Sequence, residues 1–192
     1  WGARGIFAAA SADLDGDGTR EVYLAGGDEI VEVDPVGGGL TTVYDANDTL
    51  QSTPVGLAAV DLDGDGREEL AATLSHWYAF DVRVLGRDPG APRLRTLARE
   101  KLGSLGGVAT LRVAGEPLLV TNVLGQQVSA LVFPPDRPRG EPEGLYLFAY
   151  AGGELVRRRH LAPAPGGIQL VFHVGDIDGD GRDDLAAARS ED

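Results

Sequence analysis

Three short acidic segments carry the residue types of this sequence that are best suited to chemistry. Each segment has Asp at its first, third and fifth positions, Gly at its sixth and a carboxylate at its ninth, and the segments begin at Asp13, Asp61 and Asp176. Alternate side chains of a tight loop point to a common centre. Ca²⁺ prefers about six to eight oxygen ligands in a flexible shell. The pattern therefore predicts three calcium sites, one in each segment.

The predicted ligands of each site are the carboxylates at positions 1, 3, 5 and 9 and the backbone carbonyl at position 7. Gly at position 6 permits the positive φ of a sharp bend. Four carboxylates packed this closely would repel one another strongly without a cation. The predicted ligands are Asp13, Asp15, Asp17, Thr19 and Glu21 in the first segment, Asp61, Asp63, Asp65, Arg67 and Glu69 in the second, and Asp176, Asp178, Asp180, Arg182 and Asp184 in the third.

The acidic segments have three alternative interpretations. An EF-hand loop shares positions 1, 3, 5 and 6, but it requires Glu at position 12 and a helix on each side. Position 12 here is Leu24, Ala72 or Ala187, and the flanking residues have no 3.6-residue apolar period. A solvated acidic turn without metal is disfavoured by three copies in register. Magnesium is disfavoured because it gives up its water ligands reluctantly.

The acidic segments belong to longer repeats. Each lies between two short apolar stretches that are typical of β-strands, and the 28 Gly residues are spread along the chain as turn signals. The gap between the second and third segments is about twice the gap between the first two. Near its middle, residues 107–113 resemble residues 56–62, and the short turn 114–116 replaces the acidic loop. One repeat is therefore expected to keep its strands without a metal loop.

A second hairpin follows each strand–loop–strand segment, which gives about four strands in each unit. We therefore expect an all-β fold of β-propeller-type repeats, with four-stranded antiparallel blades and calcium loops between strands 1 and 2. The chain would hold about three and a half blades in one domain, residues 1–192, with units at about 5–48, 54–103, 104–163 and 168–192. An additional strand is predicted over residues 128–133 of the third unit. Whether this chain, further sequence or a partner closes a ring is left open.

The motif D-x-D-G-D-G-x-x-(D/E) between two strands, repeated about every 50–60 residues, resembles the FG-GAP/VCBS repeat of integrin α-like β-propellers. The resemblance covers nearly the whole chain and assigns the loop residues named above as calcium ligands. It also implies extracellular recognition, adhesion or scaffolding, with some relatives embedded in polysaccharide-degrading enzymes. Two features depart from the family pattern. Position 9 is Glu21 and Glu69 in the first two loops, where Asp is more usual, and the third unit has no loop to carry ligands.

Charge and composition narrow the classes of function. The net charge of −13 disfavours binding to nucleic acid or to anionic membranes. No apolar run reaches the roughly 18 residues that a membrane-spanning helix needs, and the absence of Cys excludes disulfides. His76, His160 and His173 stand apart in sequence, and there is no G-x-S-x-G nucleophile motif. We therefore expect a protein that is not an enzyme.

These observations favour a calcium-binding, non-catalytic extracellular module for protein or glycan interaction or adhesion, in which calcium is structural. One alternative is a structural subunit of a cell-surface assembly or filament that self-associates. Another is a part of a polysaccharide-degrading enzyme. The expected localisation is extracellular or cell-surface, as a secreted protein. The connection after the second strand of the second unit holds His76 and Trp77, which are candidates for partner binding, although Trp77 packed between blades is the alternative.

Overall fold

The computed structural model describes residues 5–46, 53–75, 80–125, 140–163 and 168–190, and within these ranges the chain is all-β. Its strands form three four-stranded antiparallel sheets and one two-stranded hairpin. This confirms the predicted all-β fold of four-stranded antiparallel sheets. In the described ranges, no helix has the length and apolar character needed to cross a membrane. The strand predicted over residues 128–133 lies outside the described residues.

In each sheet the strands are neighbours in chain order, so every connection joins adjacent antiparallel strands. The first sheet contains β1 (Ile6–Ala12), β2 (Glu21–Gly26), β3 (Glu29–Val33) and β4 (Leu40–Asp45). The second contains β5 (Thr53–Val60), β6 (Glu69–Ser75), β7 (Asp81–Arg87) and β8 (Leu94–Lys101). The third contains β9 (Ser104–Val113), β10 (Glu116–Gly125), β11 (Gly144–Ala151) and β12 (Glu154–Leu161). The hairpin contains β13 (Ile168–Gly175) and β14 (Asp184–Ser190).

The sheets pack face to face in chain order. Tyr23 and Ile30 of the first sheet pack with Leu70 and Leu85 of the second in one buried apolar cluster. A second cluster combines residues of the second and third sheets. The third combines residues of the third sheet with side chains of the hairpin, among them Phe172. The first strands adjoin one another, since β1 contacts β5, β5 contacts β9, and β9 contacts β13.

The loops after these first strands therefore lie at the same end of neighbouring sheets. The connections β1–β2, β5–β6 and β13–β14 are the three acidic segments. The connection β9–β10 is shorter, because Val113 pairs directly with Glu116 and leaves only Ala114 and Gly115 as the turn. Both turn residues have positive φ, 51° and 86°, as in the tight hairpin turns that match strand twist. The third unit thus keeps its strands and lacks the acidic loop, as the sequence predicts.

Gly56 sets how closely β5 can approach β9. A Cβ atom at this position would lie 2.6 Å from the Thr73 hydroxyl oxygen and 2.9 Å from the backbone nitrogen of Val108. Thr73 itself donates a hydrogen bond to the carbonyl of Gly106 on β9 at 2.8 Å. Because real Cβ atoms do not come this close to backbone atoms, glycine is required where the second and third sheets meet.

Candidate metal centres

Each acidic loop is organised by the Asp that follows the first strand. In the first loop, Asp13 Oδ1 accepts the backbone N–H of Gly16 at 2.8 Å and Asp13 Oδ2 accepts that of Gly18 at 2.9 Å. The same pair of bonds is made by Asp61 in the second loop, at 2.7 and 3.1 Å, and by Asp176 in the third, at 2.7 and 3.0 Å. An Asp side chain that accepts N–H groups from residues three and five positions later ends the strand and stabilises a turn.

Positive φ occurs at two glycines of each loop. The sequence analysis assigned this role to position 6, which is Gly18, Gly66 or Gly181, with φ of 86°, 89° and 82°. The glycine at position 4 adopts the same conformation, with φ of 77° at Gly16 and 79° at Gly64. The sequence signal for the second bend was that glycine recurs at position 4 as well as at position 6. Glycine adopts positive φ without the strain that a Cβ atom causes.

Each loop brings together three carboxylates that could hold a metal ion. One oxygen from each residue of a group lies within 4.8 Å of the others. Ligands about 2.3–2.6 Å from one Ca²⁺ are separated by no more than about twice that distance, so the spacing fits a shared ion. A donor set made only of oxygen atoms suits a hard cation. The groups are Asp13, Asp15 and Asp17; Asp61, Asp63 and Glu69; and Asp176, Asp178 and Asp184.

Other predicted ligands lie outside these three groups. Asp65 accepts hydrogen bonds from Arg67 Nε at 3.1 Å and from Arg67 Nη2 at 2.6 Å, and these bonds lower the pKa of Asp65. Asp180 Oδ2 lies 3.9 Å from Arg182 Nε. Glu21 accepts a long hydrogen bond of 3.5 Å from the Tyr23 hydroxyl. Their assignment as ligands stays a prediction, as does that of the position-7 carbonyls of Thr19, Arg67 and Arg182.

Glu69 is the most deeply buried of the loop carboxylates, with 5% of its surface exposed. Burial raises its pKa to about 7, and the nearby charges of Asp63, Asp65 and Asp61 act in the same direction. The backbone N–H of Leu62 opposes this shift by donating to Glu69 Oε2 at 2.8 Å. A cation placed among these groups would favour the charged carboxylate, because opposite charge at short range offsets desolvation.

The ninth residue also closes the loop mechanically. The N–H of Leu62, at position 2, is held by Glu69, and the N–H of Ile177, at position 2 of the third loop, is held by Asp184 Oδ2 at 2.9 Å. Each bond links the start of the loop to the first residue of the second strand. In the second and third loops, the carboxylate at position 9 therefore also holds the backbone at the start of the loop.

The candidates for partner binding, His76 and Trp77, lie outside the described residues. The other two histidines lie on different strands, His160 on β12 and His173 on β13. The His160 ring stacks on Tyr146 with centroids 4.4 Å apart, and its Nε2 lies 2.9 Å from the Glu143 carbonyl. His173 is exposed on β13.

Contacts between neighbouring loops were missed by the sequence analysis. The backbone N–H of Asp13 donates to Glu68 Oε2 at 2.8 Å, and the backbone N–H of Glu68 donates to the Asp13 carbonyl at 2.9 Å. The only sequence signal was the carboxylate at position 8, and this position is not among the predicted metal ligands. The loops are thus physical neighbours as well as repeats.

Comparison with known proteins gives no assignment: no protein-family model matches the chain, and no curated protein resembles it significantly. The resemblance to FG-GAP/VCBS repeats therefore stays a prediction from the loop motif.

Proposed function

We propose that this chain is a calcium-binding, non-catalytic β-propeller-type module that serves protein or glycan recognition outside the cell, with calcium as a structural element. The observation that carries the proposal is the repetition of one acidic loop in three hairpins, each with three carboxylate oxygens within 4.8 Å of one another. A single acidic turn has many explanations. Three copies that share both glycine bends and the same hydrogen bonds favour a common ligand.

A structural role follows from where the ligands lie. In the second loop, Asp61 directly follows the last residue of β5, and Glu69 is the first residue of β6. An ion held by both would tie two strands together. Binding confined to the folded state stabilises it by about 2.7 kcal/mol when free calcium is one hundred times the Kd. Loops of this type suit the millimolar calcium found outside cells.

The propeller part of the proposal is supported by the arrangement of the sheets. Propellers repeat four-stranded sheets radially around a central channel. Here three such sheets and a hairpin follow one another, and their first strands are adjacent. The recognition role rests on the FG-GAP/VCBS-like motif, and the charge of −13 makes nucleic acid an unsuitable partner.

A second candidate function, a self-associating subunit of a surface assembly, is favoured by exposed apolar side chains. Phe7, Val22 and Leu40 of the first sheet are 57%, 42% and 44% exposed, and Val171 of the hairpin is 61% exposed. A second copy of the chain that covered these side chains would remove apolar surface from water, which favours association. Light scattering coupled to size-exclusion chromatography separates the candidates. A calcium-loaded monomer at every concentration would overturn the assembly.

Calorimetric titration with calcium tests the main proposal. We expect three ions per chain. We also expect chelation to lower the Tm by about 10 °C or more, because each site contributes a few kcal/mol. Magnesium is expected to restore less of the Tm than calcium.

Variants sharpen this test. Asp63→Ala or Asp178→Ala is expected to remove one ion. Asp34→Asn is the matched control, because Asp34 accepts the N–H of Val36 at 2.9 Å in a turn outside the three carboxylate groups. Absence of binding at millimolar calcium would overturn the proposal.

A further inference from the structure

The eighth residue of an acidic loop contacts the neighbouring sheet. Glu68 Oε2 accepts the backbone N–H of Asp13 at 2.8 Å, and Asp183 Oδ2 accepts the backbone N–H of Arg112 at 2.7 Å. Asp13 is position 1 of the first loop, and Arg112 takes the corresponding place at the end of β9. Two carboxylates at position 8 thus hold position 1 of the preceding unit, whether or not that unit has an acidic loop.

Glu68 forms hydrogen bonds with both backbone polar groups of Asp13, its N–H and its carbonyl. Besides the bond to the Asp13 N–H, the Glu68 backbone N–H donates to the Asp13 carbonyl at 2.9 Å. Arg20 adds a third tie, since its Nη1 lies 2.7 Å from Glu68 Oε2 and its Nη2 donates to the Ser11 carbonyl at 2.6 Å. The Glu68 side chain is 20% exposed, so these contacts are partly shielded from water.

The two loops also touch through their backbone turn. A Cβ atom at Gly16 would lie 2.6 Å from Arg67 Cγ, which places the fourth residue of the first loop directly against the second loop. Movement of residues 67–69 therefore disturbs the first loop sterically as well as through hydrogen bonds.

These contacts join Asp13, which organises the first loop, to Glu68, which lies beside the last predicted ligand of the second loop. Asp13 arranges the first loop by accepting the N–H groups of Gly16 and Gly18. Glu68 lies between Arg67 and Glu69, two predicted ligands of the second ion. An ion that fixes residues 67–69 also fixes the backbone of Asp13.

We infer that Glu68 is a positioning residue that couples the first two calcium sites, so that calcium in one raises the affinity of the other. The inference rests on the calcium binding proposed above. The coupling is reciprocal, as any equilibrium linkage between two sites must be. Asp183 anchors the hairpin to the third sheet at Arg112, where there is no acidic loop, and the third site therefore binds calcium independently of the first two.

Site-resolved titration tests the coupling. The backbone amides of Gly18, Gly66 and Gly181 each donate to the position-1 carboxylate of their own loop. Their ¹H–¹⁵N NMR signals therefore report the three sites separately as calcium is added to the full chain. Asp63→Ala, which damages the second site, is expected to raise the calcium midpoint at Gly18 by roughly five-fold or more and to leave that at Gly181 unchanged. Unchanged Gly181 signals also show that the variant is folded.

The sign of the shift separates coupling through Glu68 from direct interaction between the ions. Two cations repel each other, so loss of the second ion would by itself tighten the first site and lower its midpoint. A raised midpoint at Gly18 can then come only from the contacts between the loops.

Variants of Glu68 test the residue itself. In a Glu68→Ala background, which removes the side-chain bonds to Asp13 and Arg20 and leaves the backbone bond and the Gly16–Arg67 contact, Asp63→Ala is expected to have a much smaller effect at Gly18. Glu68→Gln keeps a side-chain oxygen for the Asp13 N–H and is expected to preserve the coupling, which separates the hydrogen bond from the charge. Asp183→Ala is the matched control and is expected to leave Gly18 and Gly66 unaffected.

Two results would overturn the inference. One is a Gly18 midpoint that Asp63→Ala leaves unchanged or lowers. The other is an effect of Asp63→Ala that is undiminished in the Glu68→Ala background. Calcium-insensitive signals at all three glycines would instead overturn the proposed calcium binding, and the coupling with it, so the two failures are distinguishable.

Discussion

Arg83 on β7 donates a hydrogen bond of 2.6 Å to the Tyr44 hydroxyl, at the end of β4, across the interface between the first two sheets. The guanidinium is fully buried, and its charge is matched by Asp81, whose oxygens lie 3.0 Å from Arg83 Nε and 3.3 Å from Nη2. The Tyr44 hydroxyl is also 3.0 Å from the Thr96 hydroxyl. A charged group thus lies fully buried at the contact between two sheets, and its tolerance there depends on these partners.

Loss of the Asp81 charge is expected to destabilise the protein strongly. Asp81→Asn leaves the buried guanidinium without its counter-ion, which costs about 3–5 kcal/mol in the free energy of unfolding. Asp88→Asn is the matched control. It removes the same charge from an Asp–Arg pair of 2.9 Å whose side chains are 58% and 59% exposed, and it should cost less than about 1 kcal/mol. Urea unfolding at saturating calcium measures both. Similar losses for the two variants would contradict the explanation.

The close approach of β5 and β9 gives a second prediction. Gly56→Ala is expected to lower the free energy of unfolding by about 1–3 kcal/mol, because the new methyl group meets backbone atoms that have no room to move. Gly107→Ala, at the corresponding place on β9, is the control. Its Cβ would make only an ordinary 3.9 Å contact with Phe172, so little loss is expected. Thermal unfolding of both variants checks the difference, and equal Tm values would refute it.

The raised pKa of Glu69 gives a prediction for pH dependence in the absence of calcium. With a folded pKa of about 7 and an unfolded value near 4.5, the folded state binds the proton more tightly. Stability is therefore present at low pH and is lost as pH rises through these values. Between pH 5.5 and 8 this residue should cost about 2 kcal/mol.

Glu69→Gln isolates that contribution. The variant keeps the size of the side chain and has no proton to lose, so its stability in chelator should fall by about 2 kcal/mol less than the wild type over the same pH range. Denaturant unfolding at the two pH values gives the comparison. Parallel pH profiles for the two proteins would show that Glu69 is not responsible.

The sequence predicted the all-β strands well because strands depend on local patterns. Short apolar stretches on either side of each loop form the paired strands, and the aspartates at positions 1 and 3 of each loop have oxygens within 4.8 Å of each other. Asp65 was harder to place, because its side chain pairs with Arg67 two residues later. Whether the Asp65 carboxylate turns to a metal ion or to the Arg67 guanidinium depends on side-chain geometry. The spacing of residues in the sequence does not give that geometry.

Two features were beyond the sequence because they arise between sheets. Charged residues such as Arg83 would ordinarily be expected to face solvent, and its contact with Tyr44 in the neighbouring sheet, together with the Asp81 counter-ion, accounts for its burial. Glu68 was ignored because position 8 supplies no ligand, yet it contacts Asp13 in the preceding loop. In both cases the partner lies in another repeat unit. A repeat pattern shows which residues are equivalent, but it does not show which side chains of neighbouring units touch.

The stacking of the sheets in chain order has a consequence for folding. Most contacts join segments that are consecutive along the chain, so each sheet can assemble on the one before it and no distant strand has to be captured first. In such arrays stability approximates a sum of terms for each unit and for each junction between neighbours. Damage to one unit should then weaken the adjoining junctions most and be felt progressively less along the stack.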